Sequence, residues 1–306
     1  MEHSYKEFWE YQGYKIIECL DCGFKHIDPL PDVEHVSGFY KNIYHNQFVK
    51  FPYHEVTDER VRQILSQIDN VQAYCDIYRK VSEFLPSKQH YRGVDVGCGH
   101  NLLLKYFQNR HWEVYGIEPG KEAAEYLKKF ELDIIEEAVE FIDSFGLKEI
   151  SFVNIQYVLE HVVNPAEVIK KLADLLEPGG VIRIVVPNDF SEGQLAYAGY
   201  HKSPIKWVNL PDHISYFSFD SLSRLLSKVG LREVYRTTNF PLEFLLLGGI
   251  NYYADEAEQK KVGPFVHNFE TALKQSGRSG LLEKLYENFA RLGMGRAVIL
   301  YVIKDR

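Results

Sequence analysis

A doubly wound α/β domain with a Rossmann-like, mostly parallel seven-stranded sheet is the fold class this sequence predicts, with a helical N-terminal extension and a late helical insertion. Three observations predict it. From residue 92 onward short apolar runs alternate with segments of helical spacing. The first of these runs ends in a glycine turn, "VDVGCG". Residues 1–90 lack the alternation and read as an extension, which leaves 91–306 as the main domain with an insertion at about 240–293. Short apolar strands separated by helices imply a parallel sheet covered on both faces.

In the extension, "IIECLDCGFKHIDPLPD" reads as a short strand, a Cys-x-x-Cys-Gly turn and a proline-rich exit. The following segment carries Val61, Ile64, Leu65 and Ile68 at helical spacing and stops at Pro86. In the main domain "GVDV" is a strand and "NLLLKYFQNR" a helix. "EVYGIEP" is the next strand, and "KEAAEYLKKF" a helix of good helix formers. "LDII" is a short strand with a weaker helix after it, and "SFVNIQYV" a strand. "PAEVIKKLADLL" is a helix with proline in its first turn, followed by the strand "GGVIRIVVPN". "SFDSLSRLLSKVG" is a helix with Ser218 as N-cap, "LREVYRTT" a sixth strand and "RAVILYVIK" a seventh. Residues 251–293 between the last two strands read as helical.

Composition narrows the function classes. The 306 residues carry a formal net charge of -8, which argues against a general nucleic-acid binder. The longest apolar run, "PLEFLLLGGI", is far short of the ~20 residues of a membrane span. The acidic, aromatic N-terminus resembles neither a signal nor a transit peptide, and four cysteines do not make a secreted disulfide framework. A cytoplasmic protein acting on a small molecule, with no nucleic-acid or membrane partner, is the expectation. Aromatic residues make up 14% of the chain, enough to line a cleft with rings.

In open α/β sheets, ligands bind at the carboxyl ends of the strands. "DVGCGHN" sits at the first such end, where Gly97 and Gly99 permit a tight turn and bring backbone N–H groups towards a ligand. Glu118 ends the second strand, in position for a carboxylate to hold the ribose hydroxyls of an adenosine. The pair implies an adenosine-containing cofactor. A dinucleotide fingerprint wants a further glycine where Leu102 stands, and Asp95 puts negative charge where a pyrophosphate is also negative. S-adenosylmethionine (SAM), with an ammonium and a sulfonium, suits an acidic site better.

The segments "VDVGCG", "VYGIEPG", "VLEHVVNPAEVIKKLADLLEPGGVIRIVVPN" and "DHISYFSFDSLSRLLSKVG" resemble successive motifs of the class I SAM-dependent methyltransferases. The branch they most resemble contains ubiquinone-type O-methyltransferases and bacterial sugar C-methyltransferases. The likeness covers roughly residues 92–238. It implies that Asp95, Gly97, Cys98, Gly99 and Asn101 face the methionyl part of SAM. It also implies that Glu118 and Pro119 hold the ribose, Glu137 and Ala138 lie at the adenine edge, and Gln156 and Tyr157 stand beside the sulfonium. Asn101 replaces a common glycine; its tolerance of left-handed backbone angles is expected to preserve the turn.

Removal of a proton from the acceptor calls for a base. His213, in "WVNLPDHISYF", is the first candidate, because a histidine in the matching segment serves sugar methyltransferases. His161, in "VLEHV", is the second, in a catalytic or positioning role. Tyr216 and Trp207 flank His213 as an aromatic wall for the acceptor, with Tyr216 counted among the catalytic candidates and Trp207 among the acceptor contacts. Tyr40 and Tyr44 of the extension are expected to close over the cofactor, with Tyr44 counted among the acceptor contacts. The expected activity is O- or C-methylation of a small polar acceptor: a sugar, a sugar nucleotide or a cell-envelope precursor. A quinone or other phenol is the alternative acceptor, and a non-catalytic SAM-binding scaffold the alternative role. Glu160 alone does not specify a catalytic metal.

Cys19-x-x-Cys22-Gly also resembles the second half of the zinc knuckle at the N-terminus of bacterial sugar C-methyltransferases. Structural zinc takes four ligands. Upstream of the pair stand only His3 and a run of glutamates and aromatics, and two cysteines do not close a site. Zinc is therefore not expected on this reading.

Overall fold

The computed structural model describes residues 3–11, 13–44, 48–202, 207–210 and 212–305. The chain opens with three strands, β1 (Tyr5–Tyr11), β2 (Tyr14–Cys19) and β3 (Lys25–Asp28), paired antiparallel in that order. The expected helical extension is thus helical only from Val33 onward. The short strand read at "IIEC" falls within β2, whereas β1 escapes the sequence pattern because it is exposed along most of its length and mixes charged with aromatic residues, so no apolar alternation marks it. The helices α1 (Val33–Phe39), α2 (Asp58–Gln67) and α3 (Gln72–Phe84) follow, with a π-helical turn at Tyr40–Tyr44. Asp32 and Thr57 cap α1 and α2 by accepting from backbone N–H groups of the first turn.

The alternation from residue 92 holds. It comprises β4 (Arg92–Val96), α4 (Leu103–Gln108), β5 (Glu113–Ile117), α5 (Lys121–Lys128), β6 (Asp133–Ile135), a 3₁₀ segment (Val139–Phe145), β7 (Ile150–Gln156), α6 (Pro165–Leu175) and β8 (Leu176–Pro187). Next come α7 (Glu192–His201), the short β9 (Ser215–Tyr216), α8 (Phe219–Lys228) and β10 (Leu231–Thr237). The chain ends with α9 (Glu243–Leu247), α10 (Glu256–Gln275), α11 (Ser279–Arg291) and β11 (Ala297–Lys304). Asn164 caps α6 with proline at its first position, and Ser218 accepts from the Ser221 N–H at the start of α8.

Two sheets result. β9 joins β3 to complete a four-stranded sheet, β1-β2-β3-β9. The seven-stranded sheet runs β10-β11-β8-β7-β4-β5-β6, with β4 parallel to both β5 and β7 and β5 parallel to β6. The chain steps outward from β4 to β6 and then returns to the other side of β4 with β7. That reversal opens a crevice at the carboxyl ends of β4 and β7.

Two compact units are built from these elements. One comprises Met1–Leu30, Val185–Leu225 and Glu233–Leu300; the other comprises Pro31–Ile184, Leu226–Arg232 and Tyr301–Arg306. In the second, Val94, Ile117, Leu127, Val153, Ile155 and Leu172 are fully buried, each such side chain contributing about 1.5–3 kcal/mol by leaving water. In the first, Ile16 and Ile17 of β2 are fully buried, and Phe24 lies 4.9 Å from Phe217 between ring centroids. Among the described residues no helix is long and apolar enough to cross a membrane.

Candidate active site

The unit built on β4–β7 holds a cavity of about 370 Å³. Its wall includes Asp95, Gly97, Cys98, Gly99, Asn101, Glu118, Pro119, Ala138, Gln156 and Tyr157, so all but one of the residues expected at the cofactor lie on a single surface. Glu137 is the exception. Its carboxylate pairs with Lys41 at 3.3 Å and accepts from the Ala138 N–H at 3.0 Å, while Ala138 and Glu140 supply that part of the wall.

The glycine turn has a specific internal wiring. Gly97 takes φ +64°, and a Cβ there meets Val158 Cγ2 at 2.3 Å, so only glycine fits. Gly97 and Cys98 both donate their N–H to the Ile117 carbonyl, at 2.7 and 3.4 Å. Gly99 donates to Glu118 Oε2 at 2.8 Å, and Asn101 N–H donates to the Cys98 carbonyl at 2.8 Å. The loop's donors are therefore engaged within the protein, where the sequence reading has them pointing at a ligand. Asn101 is also absent from the residues of positive φ; it forms instead an Asx-type turn before α4, its side chain accepting from the Leu103 N–H at 2.9 Å. Glu118, 3% exposed, fixes the loop from the other side by accepting from Gly99 and Gly120, each at 2.8 Å.

What faces the cavity is carboxylate rather than N–H. Asp95 is buried, with Oδ1 accepting from Asn154 Nδ2 at 2.6 Å and Oδ2 lacking a hydrogen-bond partner among the described residues. Burial pushes its pKa up to about 7; the Asn154 bond and the charge of Arg183 pull against that, and Glu118 adds to it. Arg183 reaches Asn154 Oδ1 at 2.7 Å and Gln156 Oε1 at 2.9 Å, which ties β4, β7 and β8 together under the site. A buried carboxylate with an open oxygen suits a cationic ligand and opposes a pyrophosphate. The residues present therefore fit SAM.

The rest of the wall comes from segments without a recognisable motif. Val36, Ser37, Tyr40, Tyr44, Val49 and Tyr53 reach it from α1 and the turns that follow. Tyr40 and Tyr44 lie 4.9 Å apart between ring centroids, and Tyr40 lies 5.3 Å from the ring of His161, which also lines the cavity. His161 Nε2 stands 3.8 Å from Glu160 Oε1, and Glu160 is buried. Tyr157, the residue after β7, holds φ +56° and leaves 43% of its surface exposed. A non-glycine residue in that region is a strained position of the kind that gathers at functional sites.

His213, Tyr216 and Trp207 belong to the other unit. There Asp189, 1% exposed on its side chain, places Oδ2 3.6 Å from His213 Nδ1, while its Oδ1 accepts from Arg296 at 2.8 Å. The Tyr216 hydroxyl donates to the His213 carbonyl at 3.1 Å, and burial pushes its phenol well above the usual range. Tyr216 therefore braces the histidine loop. Trp207 is buried, its ring centroid 6.2 Å from that of Phe190. The sequence reading missed Asp189 and Arg296, which lie far apart in the chain with no motif to join them.

A family model described as a methyltransferase domain matches residues 68–235, more than half of the chain. Ubiquinone biosynthesis O-methyltransferase of Vibrio cholerae is 32% identical over 95 residues, 29% of this chain and 39% of that protein. The enzyme of the same name from Serratia proteamaculans is 30% identical over 93 residues, 28% and 39% respectively. The chain thus spans about two fifths of the length of these relatives. Among solved structures, the plantazolicin methyltransferase BamL in complex with a triazolic desmethylPZN analog and SAH is 19% identical, covering 90% of this chain and 98% of that one at a TM-score of 0.49. A SAM dependent methyltransferase from Archaeoglobus fulgidus is 17% identical, covering 76% and 93% at 0.46. With the glycine turn, the carboxylate-lined cavity and the family match together, the chain belongs to the methyltransferase-domain family, with a class I fold and SAM as its cofactor.

Proposed function

We propose that this protein transfers a methyl group from SAM to a hydroxyl of a small polar acceptor, a sugar or sugar nucleotide. The observation that carries the reading is the cavity at the ends of β4, β5 and β7, whose wall combines the glycine turn with two buried carboxylates, Asp95 and Glu118. When bound, SAM supplies a methyl on a sulfonium, which leaves as the thioether S-adenosylhomocysteine (SAH). The oxygen–carbon bond forms as the carbon–sulfur bond breaks, and the hydroxyl proton must go to a base. His213 is that base in this proposal. The Asp189 carboxylate lies 3.6 Å from Nδ1, and Arg296 fixes Asp189, which leaves Nε2 to take the proton. His161 positions the acceptor at the cavity wall, with Tyr40 and Tyr44 around it.

A phenolic or quinol hydroxyl is the second reading. Two features favour it: the likeness to the ubiquinone biosynthesis O-methyltransferases, and the rings of Tyr40 and Tyr44 with Val36, Val49 and Val162 in the wall. The test begins with calorimetric titration of SAM, SAH and NAD in parallel. Binding of SAM and SAH without NAD supports the cofactor site. Incubation with nucleotide sugars and with quinols, read by mass spectrometry for gain of one methylene, then separates the acceptors. SAM binding without transfer to either class removes the enzymatic reading for both. With the true acceptor, His213→Ala is expected to slow turnover by roughly 10²-fold or more while the SAM dissociation constant stays unchanged. Unchanged turnover removes His213 from the mechanism.

A further inference from the structure

The four-stranded sheet carries a cluster that methyl transfer does not use. His3 stands just before β1, Cys19 ends β2, Cys22 lies in the following turn and His26 sits within β3. One ligand atom from each lies within 4.8 Å of all the others. His3 Nδ1 is 3.2 Å from Cys19 Sγ and 3.4 Å from Cys22 Sγ. In a tetrahedral zinc site, bonds of about 2.3 Å to sulfur and 2.0–2.1 Å to nitrogen separate neighbouring ligand atoms by roughly 3.3–3.8 Å. The two measured separations fall within or just below that spacing without an ion to impose it.

Two independent features point the same way. The Cys22 N–H donates to Cys19 Sγ at 3.2 Å, and the Gly23 N–H donates to the Cys19 carbonyl at 3.1 Å. The turn therefore brings a backbone donor to the sulfur. His26 is 1% exposed, and its Nδ1 lies 2.8 Å from the Ile27 carbonyl. A carbonyl only accepts, so Nδ1 carries the proton and Nε2 keeps its lone pair. That Nε2 is buried with no hydrogen-bond partner among the described residues. Hydrogen bonds between His3 and the two sulfurs account for three members of the cluster but leave the buried Nε2 of His26 unexplained. A backbone carbonyl on the far nitrogen is also the usual way a metal-bound histidine is oriented.

We propose that His3, Cys19, Cys22 and His26 form a structural zinc site that pins the N-terminal residues to the β2–β3 turn. The two ligands beyond the cysteine pair are histidines, one on each side of it in the chain. Four protein ligands leave no open position, so the ion is structural rather than catalytic. Binding releases the thiol protons and stabilises the small sheet.

The test uses the full-length protein, purified without a histidine tag from zinc-supplemented cells. One zinc per chain by elemental analysis is expected. Cobalt loaded into the stripped protein is expected to show the visible bands of a tetrahedral ion and a thiolate-to-metal charge-transfer band. His3→Ala, near the chain terminus, should weaken cobalt binding by roughly tenfold or more, since even outer partners of metal ligands cost 10–100-fold. His26→Ala and Cys22→Ser should do the same; if either fails to fold, the wild-type cobalt spectrum and His3→Ala still decide the matter. A metal-free protein with no tetrahedral cobalt spectrum overturns the site. Wild-type affinity in His3→Ala overturns the four-ligand set. Neither result depends on methyltransferase activity.

Discussion

Two glycine turns in this chain use the same backbone device for opposite ends. The turn after β4 carries Gly97 and Gly99, engages its N–H groups internally and leaves Asp95 and Glu118 facing a cavity. The turn after β2 carries Gly23, directs an N–H at Cys19 Sγ and gathers two sulfurs and two imidazoles. In each, a short loop locks its own backbone, and the side chains brought to it set the charge. The first presents buried negative charge to a cation that comes and goes. The second draws sulfur and nitrogen donors to within 4.8 Å of one another. A glycine turn thus identifies a place where backbone bends and not the ligand that binds there.

The largest way to break this comparison is Gly97→Ala. Its Cβ lies 2.3 Å from Val158 Cγ2 at φ +64°, so the loop must move. A left-handed non-glycine residue costs about 1–2 kcal/mol, and overpacking about 1–3 kcal/mol more. SAM affinity should fall by at least roughly 100-fold, with a lowered melting temperature, while the cobalt spectrum of the β2 turn persists. If SAM affinity survives, the loop's internal wiring does not shape the cofactor site.

Asp95→Asn sharpens the electrostatic half of the comparison. The folded-state pKa of about 7 lies above the ordinary carboxylate value of 3.8. The folded protein therefore holds a proton that the unfolded chain has lost between those values. The associated stability is complete below about pH 4 and disappears as pH rises to about 7, an effect on the order of 4 kcal/mol. Asn mimics the protonated form, so the ligand-free variant should be more stable than wild type at pH 8 and equal to it near pH 4, by chemical denaturation. SAM binding should go the other way. Wild-type affinity should rise with pH through about 7, and the variant should bind roughly tenfold or more weakly at pH 8, since a hydrogen bond to a charged group contributes about 1.5–3 kcal/mol. A pH-independent affinity in the wild type sinks the assignment of Asp95 to the cation.

The parallel half of the fold was legible because buried parallel strands write themselves as apolar runs. β7 is buried along nearly its whole length, and its neighbours repeat the pattern. Asp95, the glycines and Glu118 follow at the spacing a β-α-β unit imposes, so the cavity wall could be gathered in advance from residues at strand ends. The short strand at "IIEC" was legible as part of β2, but its pairing with β1 was not, because β1 shows no apolar period. His26 consequently had no visible reason to meet His3, although Asp95 to Glu118 and His3 to His26 are spans of equal length in the chain. Asp189 and Arg296 failed for a different reason: their contact joins segments far apart in sequence, which periodicity cannot see.

The smallest effect tests the departure at Asn101. If this residue stands in for a glycine because the turn needs left-handed angles, Asn101→Gly should improve the loop and Asn101→Ala should damage it. The structure assigns it a different task, accepting from the Leu103 N–H at the start of α4, with no positive φ to satisfy. Loss of such a hydrogen bond costs about 0.5–1.5 kcal/mol with either alanine or glycine. Asn101→Ala and Asn101→Gly should therefore each lower the melting temperature by about 2–4 °C. Both should bind SAM within about threefold of wild type, because the charge facing the cavity and the Gly99 to Glu118 bond are untouched. A tenfold loss of SAM affinity with unchanged thermal stability reverses the reading: Asn101 then contacts the cofactor directly, and part of the charge-based comparison between the two turns gives way to a polar contact from the loop itself.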